Sequence, residues 1–198
     1  MASSSTDRHT SSHCDKHRHS MNYLILAGIY DSGPTHWQSL WQRSDARFSK
    51  LAHSSWDHPD RQVWVSELED CVQALGPQTV LVAHSLACLM VAHWCATTRQ
   101  RVHGALLVSV PDPEGSNFPK DAKHFGAVPL LRMPFATTVV SSDDDPYGSR
   151  EHMARCADAW GSRLVPVSGL GHINAQSGLG EWPAGRAILD QVAHYPGT

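Results

Sequence analysis

The 198-residue sequence has no apolar run approaching the length a bilayer span requires, and its start carries none of the apolar core of a secretory signal. It also lacks a dominant charge. Sixteen basic residues face nineteen acidic ones for a formal charge of −3, which provides neither a nucleic-acid groove nor an anionic-membrane surface. Its five cysteines, Cys14, Cys71, Cys88, Cys95 and Cys156, show no CxxC spacing. Four of them fall beside apolar residues on predicted helices, so they read as free core thiols of a reducing, cytoplasmic compartment. Neither an internal repeat nor a second domain is visible, and the length suits one domain able to bury a sizeable core.

Residues 1–20 hold few apolar side chains and are rich in Ser and His. They read as a disordered tail, with the folded domain spanning 21–198. His9, His13 and His17 would share a face on a helix and could hold a metal there, and His19 follows. Nothing in the tail would stabilise such a helix, so the expectation is a solvated segment, with no metal and no cofactor.

From Met21 onward, short apolar strands alternate with helical patterns. Tyr23–Ala27 reads as a buried strand running into the turn-rich Gly28–Pro34. A helix with Trp37, Leu40 and Trp41 on one side follows, then a weak strand over Phe48–His53. Asp60 is placed to cap a helix with Trp64, Leu68, Cys71, Val72 and Leu75 on one face, stopped by Gly76-Pro77. Thr79–Ala83 is an apolar run rich in β-branched residues, and Leu86–Trp94 is apolar nearly all round, as in a buried helix. Further strands are expected at Val102–Val110, Phe135–Val140 and Arg163–Val167. A helix from Ser149 carries Met153, Cys156, Ala157 and Trp160, and a last one over Ala184–His194 buries Ile188, Leu189 and Val192. The longest irregular stretch, Pro111–Met133, has the length of a lid or substrate-contacting segment. The alternation predicts an α/β fold: a three-layer sandwich of about six parallel strands, with helices on both faces.

In such a sheet, chemistry gathers at the C-terminal ends of the strands. Ser85 stands at one of them, in the junction Ala83-His84-Ser85-Leu86-Ala87. A small-x-Ser-x-small pentapeptide between strand and helix raises a serine hydroxyl on a sharp turn, beside the free N–H groups of the helix start. Glycine, usual at the flanks, is replaced by alanine at both, and a serine there could also serve as a plain helix cap. Asp145 and His172 follow two later strands. A serine hydroxyl needs a base to take its proton, and an imidazole needs a carboxylate to orient it. The order Ser…Asp…His supplies Ser85 as nucleophile, His172 as base and Asp145 as its partner. Asp145 precedes Pro146 and closes its loop, whereas Asp143 and Asp144 read as turn residues bonding their own backbone. Oxyanion donors are expected from the N–H of Leu86 and, in the loop after the first strand, from Ile29 or Tyr30. His84 should point away from Ser85 into a packing or hydrogen-bonding role. His36, Trp37 and Tyr147, with Trp56 and Phe118, are candidate substrate-lining side chains.

From about Met21 onward the chain resembles the small serine hydrolases of the retinoblastoma-binding-protein-9, or YdeN-like, type, a compact branch of the α/β-hydrolases. The resemblance is carried by Leu26-Ala27-Gly28 with Ser32–Trp37, by Trp56–Pro59 with Trp64, and by Val82–Leu86. Ser142–Tyr147, Trp160-Gly161, Gly171–Asn174 and Glu181–Pro183 complete it. Ala27, where the family often has proline, and Ala87, where glycine is common, depart from the pattern. The resemblance implies no large cap domain, the triad Ser85, Asp145 and His172, and hydrolysis of small-molecule esters or amides. A protein-interaction module on the same scaffold is the alternative, since fold does not fix function.

Overall fold

The computed structural model describes residues 21–194. The expected tail, with Cys14 and its histidines, lies outside these residues. Six strands are present: β1 (Asn22–Leu26), β2 (Phe48–Lys50), β3 (Thr79–His84), β4 (Gly104–Val108), β5 (Ala136–Ser142) and β6 (Arg163–Val167). All pair in parallel, in the order β2-β1-β3-β4-β5-β6. The chain steps outward from β1 to β2, then returns past β1 to build the other half of the sheet from β3. The crevice between β1 and β3 is therefore the topological switch point, where open parallel sheets place their ligands.

Alternation along the strands sends side chains to two cores. Leu24, Leu26, Leu81, Ala83, Ala105, Leu107 and Val139 face α2 (Arg61–Leu75), α3 (Leu86–Cys95) and α4 (Arg150–Trp160). Tyr23, Ile25, Val80, Val82, Leu106, Val108 and Val140 face α1 (Trp37–Ser44) and α5 (Pro183–His194). Both faces are covered, which is why the central strands are apolar at nearly every position. β6 is the exception: it is half exposed and tolerates Pro166 because it is an edge strand.

Local chemistry sets the helix ends. Asp60 accepts from the Gln62 and Val63 N–H groups at the start of α2, and Ser149 from His152 at the start of α4. Gly161 closes α4 in the left-handed region. The expected second strand is shorter than its apolar pattern, ending at Lys50. In the last helix Leu189 and Val192 are buried but Ile188 only partly so. The stretch 111–133 packs against the α2–α4 core through Phe118, Ala122, Phe125 and Met133, with a 3₁₀ turn over Lys120–Phe125.

Candidate active site

β3 ends at His84, α3 begins at Leu86, and Ser85 alone makes the turn, with φ 57° and ψ −125°. That backbone is strained for a residue with a Cβ. It is held by the Ser85 N–H bond to the Val108 carbonyl (2.9 Å) and by the Cys88 N–H bond to the Ser85 carbonyl (2.9 Å). The turn is tightest against β1. A Cβ on Gly28 would lie 3.0 Å from the Ser85 Cβ and 3.2 Å from the His84 carbonyl oxygen, so glycine is required there by close approach.

Ser85, His172 and Asp145 come together at the C-terminal edge of the sheet. The Ser85 hydroxyl donates to His172 Nε2 at 2.8 Å. His172 Nδ1–H donates to both Asp145 carboxylate oxygens, each at 2.9 Å. The Asp145 carboxylate is wholly buried and also accepts from the Tyr147 N–H (2.9 Å). The tautomer is thereby set: a proton on Nδ1 leaves Nε2 as the acceptor facing the serine.

Asp143 and Asp144 do not bond merely their own turn, as the sequence suggests. Asp143 Oδ1 accepts from the Gly169 N–H (2.9 Å), and Asp144 Oδ1 from the Gly171 N–H (2.8 Å). The Ser142 hydroxyl donates to Asp144 and accepts from the Leu170 N–H. The loop after β5 thus grips the loop that carries His172. Both carboxyls are held below their ordinary range, Asp143 chiefly by the Gly169 amide and Asp144 chiefly by the Ser142 hydroxyl.

His84 turns away from Ser85, and its Nε2–H donates to the His172 carbonyl at 2.8 Å. Burial, reinforced by His172 and His36, keeps its ring well below the usual imidazole range and so neutral. Leu86 N–H is the first of α3 and has no acceptor within the helix. In the facing loop, Tyr30 N–H bonds Trp56 O (3.1 Å) and Asp31 N–H bonds Gly28 O (3.2 Å). Tyr30 is thus removed as an oxyanion donor, which leaves Ile29 beside the elbow.

A cavity of about 190 Å3 opens onto the serine, lined by Ile29, His36, Leu86, Phe118, Tyr147 and Asn174 among others. Trp37 and Trp56 are not part of its wall. Trp37 is corrected from a lining residue to a core residue: its indole is 1% exposed, donates to the Ile173 carbonyl (2.8 Å) and packs edge-on against Trp41 and Trp182. The reason is its helix face, since the side shared with Trp41 is the side α1 buries. Trp56 packs on His53 and Trp64. Among the described residues no group of His, Cys, Asp and Glu side chains is placed to hold a metal ion. No helix among them is long and apolar enough to cross a membrane.

Comparison with solved structures finds the same fold. A protein of Pectobacterium atrosepticum described as a YdeN-like hydrolase is 26% identical and superposes with a TM-score of 0.77, over 87% of this chain and 90% of that one. The ydeN gene product of B. subtilis is 21% identical, with a TM-score of 0.72 over 87% of this chain and 98% of that one. Est816, described as an N-acyl homoserine lactone degrading enzyme, is 14% identical with a TM-score of 0.64, over 87% of this chain and 92% of that one. No curated protein matches. The six-stranded parallel sheet is thus that of a compact α/β-hydrolase, with no cap domain among the described residues. The family model for "Serine hydrolase" matches residues 23–191, most of the chain, and the protein belongs to that family.

Proposed function

We propose that the protein hydrolyses small carboxylic esters through an acyl-enzyme on Ser85. The observation that carries this reading is the unbroken chain of hydrogen bonds from the Ser85 hydroxyl through His172 to the buried Asp145 carboxylate. His172 Nε2 takes the hydroxyl proton as Ser85 Oγ bonds to the carbonyl carbon. The oxygen that becomes negative accepts from the N–H groups of Leu86, the first residue of α3, and of Ile29, which lines the cavity with Ser85. Asp145 stabilises the imidazolium and keeps its Nδ1–H in place. The carbon–oxygen bond then breaks, His172 gives its proton to the departing alkoxide, and the alcohol leaves. Water, deprotonated by the same ring, attacks the acyl-enzyme and restores the serine.

A cavity of about 190 Å3 lies below the usual range for drug-sized ligands and favours short substrates. Amides share the chemistry, but their nitrogen must be protonated by His172 before the carbon–nitrogen bond can break, because an amide anion is a far poorer leaving group than an alkoxide. Cys71, Cys88, Cys95 and Cys156 are unpaired, which fits a cytoplasmic location.

Labelling by a fluorophosphonate probe tests the reading. The native protein is expected to label, and the Ser85→Ala and His172→Ala variants are expected not to. Failure of the folded native protein to label, even at high probe concentration, would falsify the serine-hydrolase mechanism.

A further inference from the structure

The sheet order places β3 between β1 and β4, so Ser85 stands between the loop that follows β1 and the long stretch that follows β4. Both segments line the cavity, the first through Gly28, Ile29 and Tyr30 and the second through Pro111, Phe118 and Pro119. A contact between them has to cross the end of β3 on which the serine sits.

The Tyr30 side chain makes such a contact. Its hydroxyl donates to the Asp121 carboxylate at 3.3 Å. Tyr30 lines the cavity and is 58% exposed, so it stands where the cavity meets solvent and not on its floor. Asp121 comes just after Pro119 and Lys120 in the chain, so the phenol ring runs from one wall of the mouth toward the other.

Both ends of this crossing are fixed. Tyr30 and Asp31 lie in the left-handed region, with φ 66° and 65°, which is uncommon for residues with a Cβ. The Tyr30 N–H bond to the Trp56 carbonyl and the Asp31 N–H bond to the Gly28 carbonyl hold that backbone, and the Asp31 carboxylate pairs with Lys50. On the other side Asp121 belongs to the 3₁₀ turn over Lys120–Phe125, whose Ala122 and Phe125 are wholly buried in the α2–α4 core. An exposed hydrogen bond of this length contributes little to stability, and a ring left largely in solvent adds little packing. Two strained residues that carry an exposed aromatic across the mouth of a site call for a functional explanation.

We propose that Tyr30, tied to Asp121, bars the mouth of the cavity and is the residue that restricts the protein to esters with short chains. The ring is the bar, and the hydrogen bond keeps it in place. The proposal rests on the hydrolase reading of the same site.

The test measures kcat/KM by acid release for two pairs of esters. Methyl butanoate and methyl octanoate differ in the acyl part, and butyl acetate and octyl acetate in the alcohol part, so either part of the ester can be the one that meets Tyr30. The native protein is expected to favour the shorter ester in at least one pair. In that pair Tyr30→Ala should raise the long-to-short ratio roughly tenfold, about what burying two further methylenes contributes. Asp121→Ala, which frees the ring without removing it, should raise the same ratio several-fold. The ratio cancels any loss common to both esters, such as a shift of the neighbouring Ile29 N–H. Fluorophosphonate labelling of Ser85 runs alongside. A native protein indifferent to length in both pairs, a native ratio in either variant, or turnover of none of the esters by a protein that still labels overturns the bar alone. A native protein that neither labels nor hydrolyses overturns the hydrolase reading with it.

Discussion

At the scale of single residues, the site depends on positions that do no chemistry. Gly28 is the plainest case. Its φ is not in the left-handed region, so glycine is not required by conformation, yet a methyl there meets the Ser85 Cβ at 3.0 Å and the Leu86 nitrogen at 3.5 Å. Gly28→Ala should therefore push the β1 loop, and with it Ile29 N–H, away from the elbow. A donor displaced by a few tenths of an ångström to an ångström is expected to cost roughly a hundredfold in kcat, with little change in Tm. Steady-state kinetics beside a thermal melt separates this from a folding defect: a Tm loss in step with the activity loss would sink the argument. Ser85 and His172 were legible in the sequence because strand ends and glycine-rich turns are local signals. Trp37 was misplaced because an aromatic next to a candidate lining residue says nothing about which way its helix face turns. The contacts of Asp143 and Asp144 with Gly169 and Gly171 join loops far apart in the chain, and no local pattern records such a pairing.

At the scale of elements, the loop after β5 and the loop after β6 act as one unit. The Asp144 carboxylate accepts from the Gly171 N–H, one residue before His172, and the Ser142 hydroxyl links Asp144 to the Leu170 N–H. From the other side, His84 grips the carbonyl of His172 itself. The ring is thereby held over Ser85 from three directions. Asp144→Ala should loosen this unit, and a ten- to hundredfold fall in kcat with KM nearly unchanged is expected, since the lost contacts orient His172, the base of the proposed mechanism, and are not with the cavity. Asp144→Asn, which keeps an acceptor oxygen for Gly171 N–H, should recover most of the rate. Equal losses in the two variants would show that charge, and not the hydrogen bond, matters there. Order and type of the elements were readable because parallel strands buried on both faces are apolar throughout, and because α2 and α4 each carry a side-chain cap and one apolar face. The stretch 111–133 was not: its anchors Phe118, Ala122, Phe125 and Met133 are spaced by the surface they cover, with neither a helix nor a strand period.

At the scale of the whole molecule, four of the buried polar residues are imidazoles, His36, His53, His84 and His152. These four, with the half-buried His93, are held below their ordinary value of 6.5, in each case chiefly by burial. His152, packed at the start of α4, bonds the Pro111 carbonyl (3.1 Å), and the rings of His36 and His84 pack edge to face among the residues lining the cavity. Above pH 6.5 these rings are neutral in both folded and unfolded chains and leave stability independent of pH. Below it the unfolded chain binds protons that the folded one refuses, so the unfolding free energy falls as pH drops from 6.5 toward about 4, where His36 itself titrates. Each ring still neutral in the fold contributes a slope of about 1.4 kcal/mol per pH unit once its unfolded counterpart is fully charged. Urea unfolding at pH 7.5, 6.0 and 5.0 should show a falling midpoint at nearly constant m, with most of the fall between the last two values. His36→Asn should flatten that dependence, because it removes one of the rings that must enter the fold uncharged. A midpoint that stays level down to pH 5.0 would mean that these imidazoles take up protons in place.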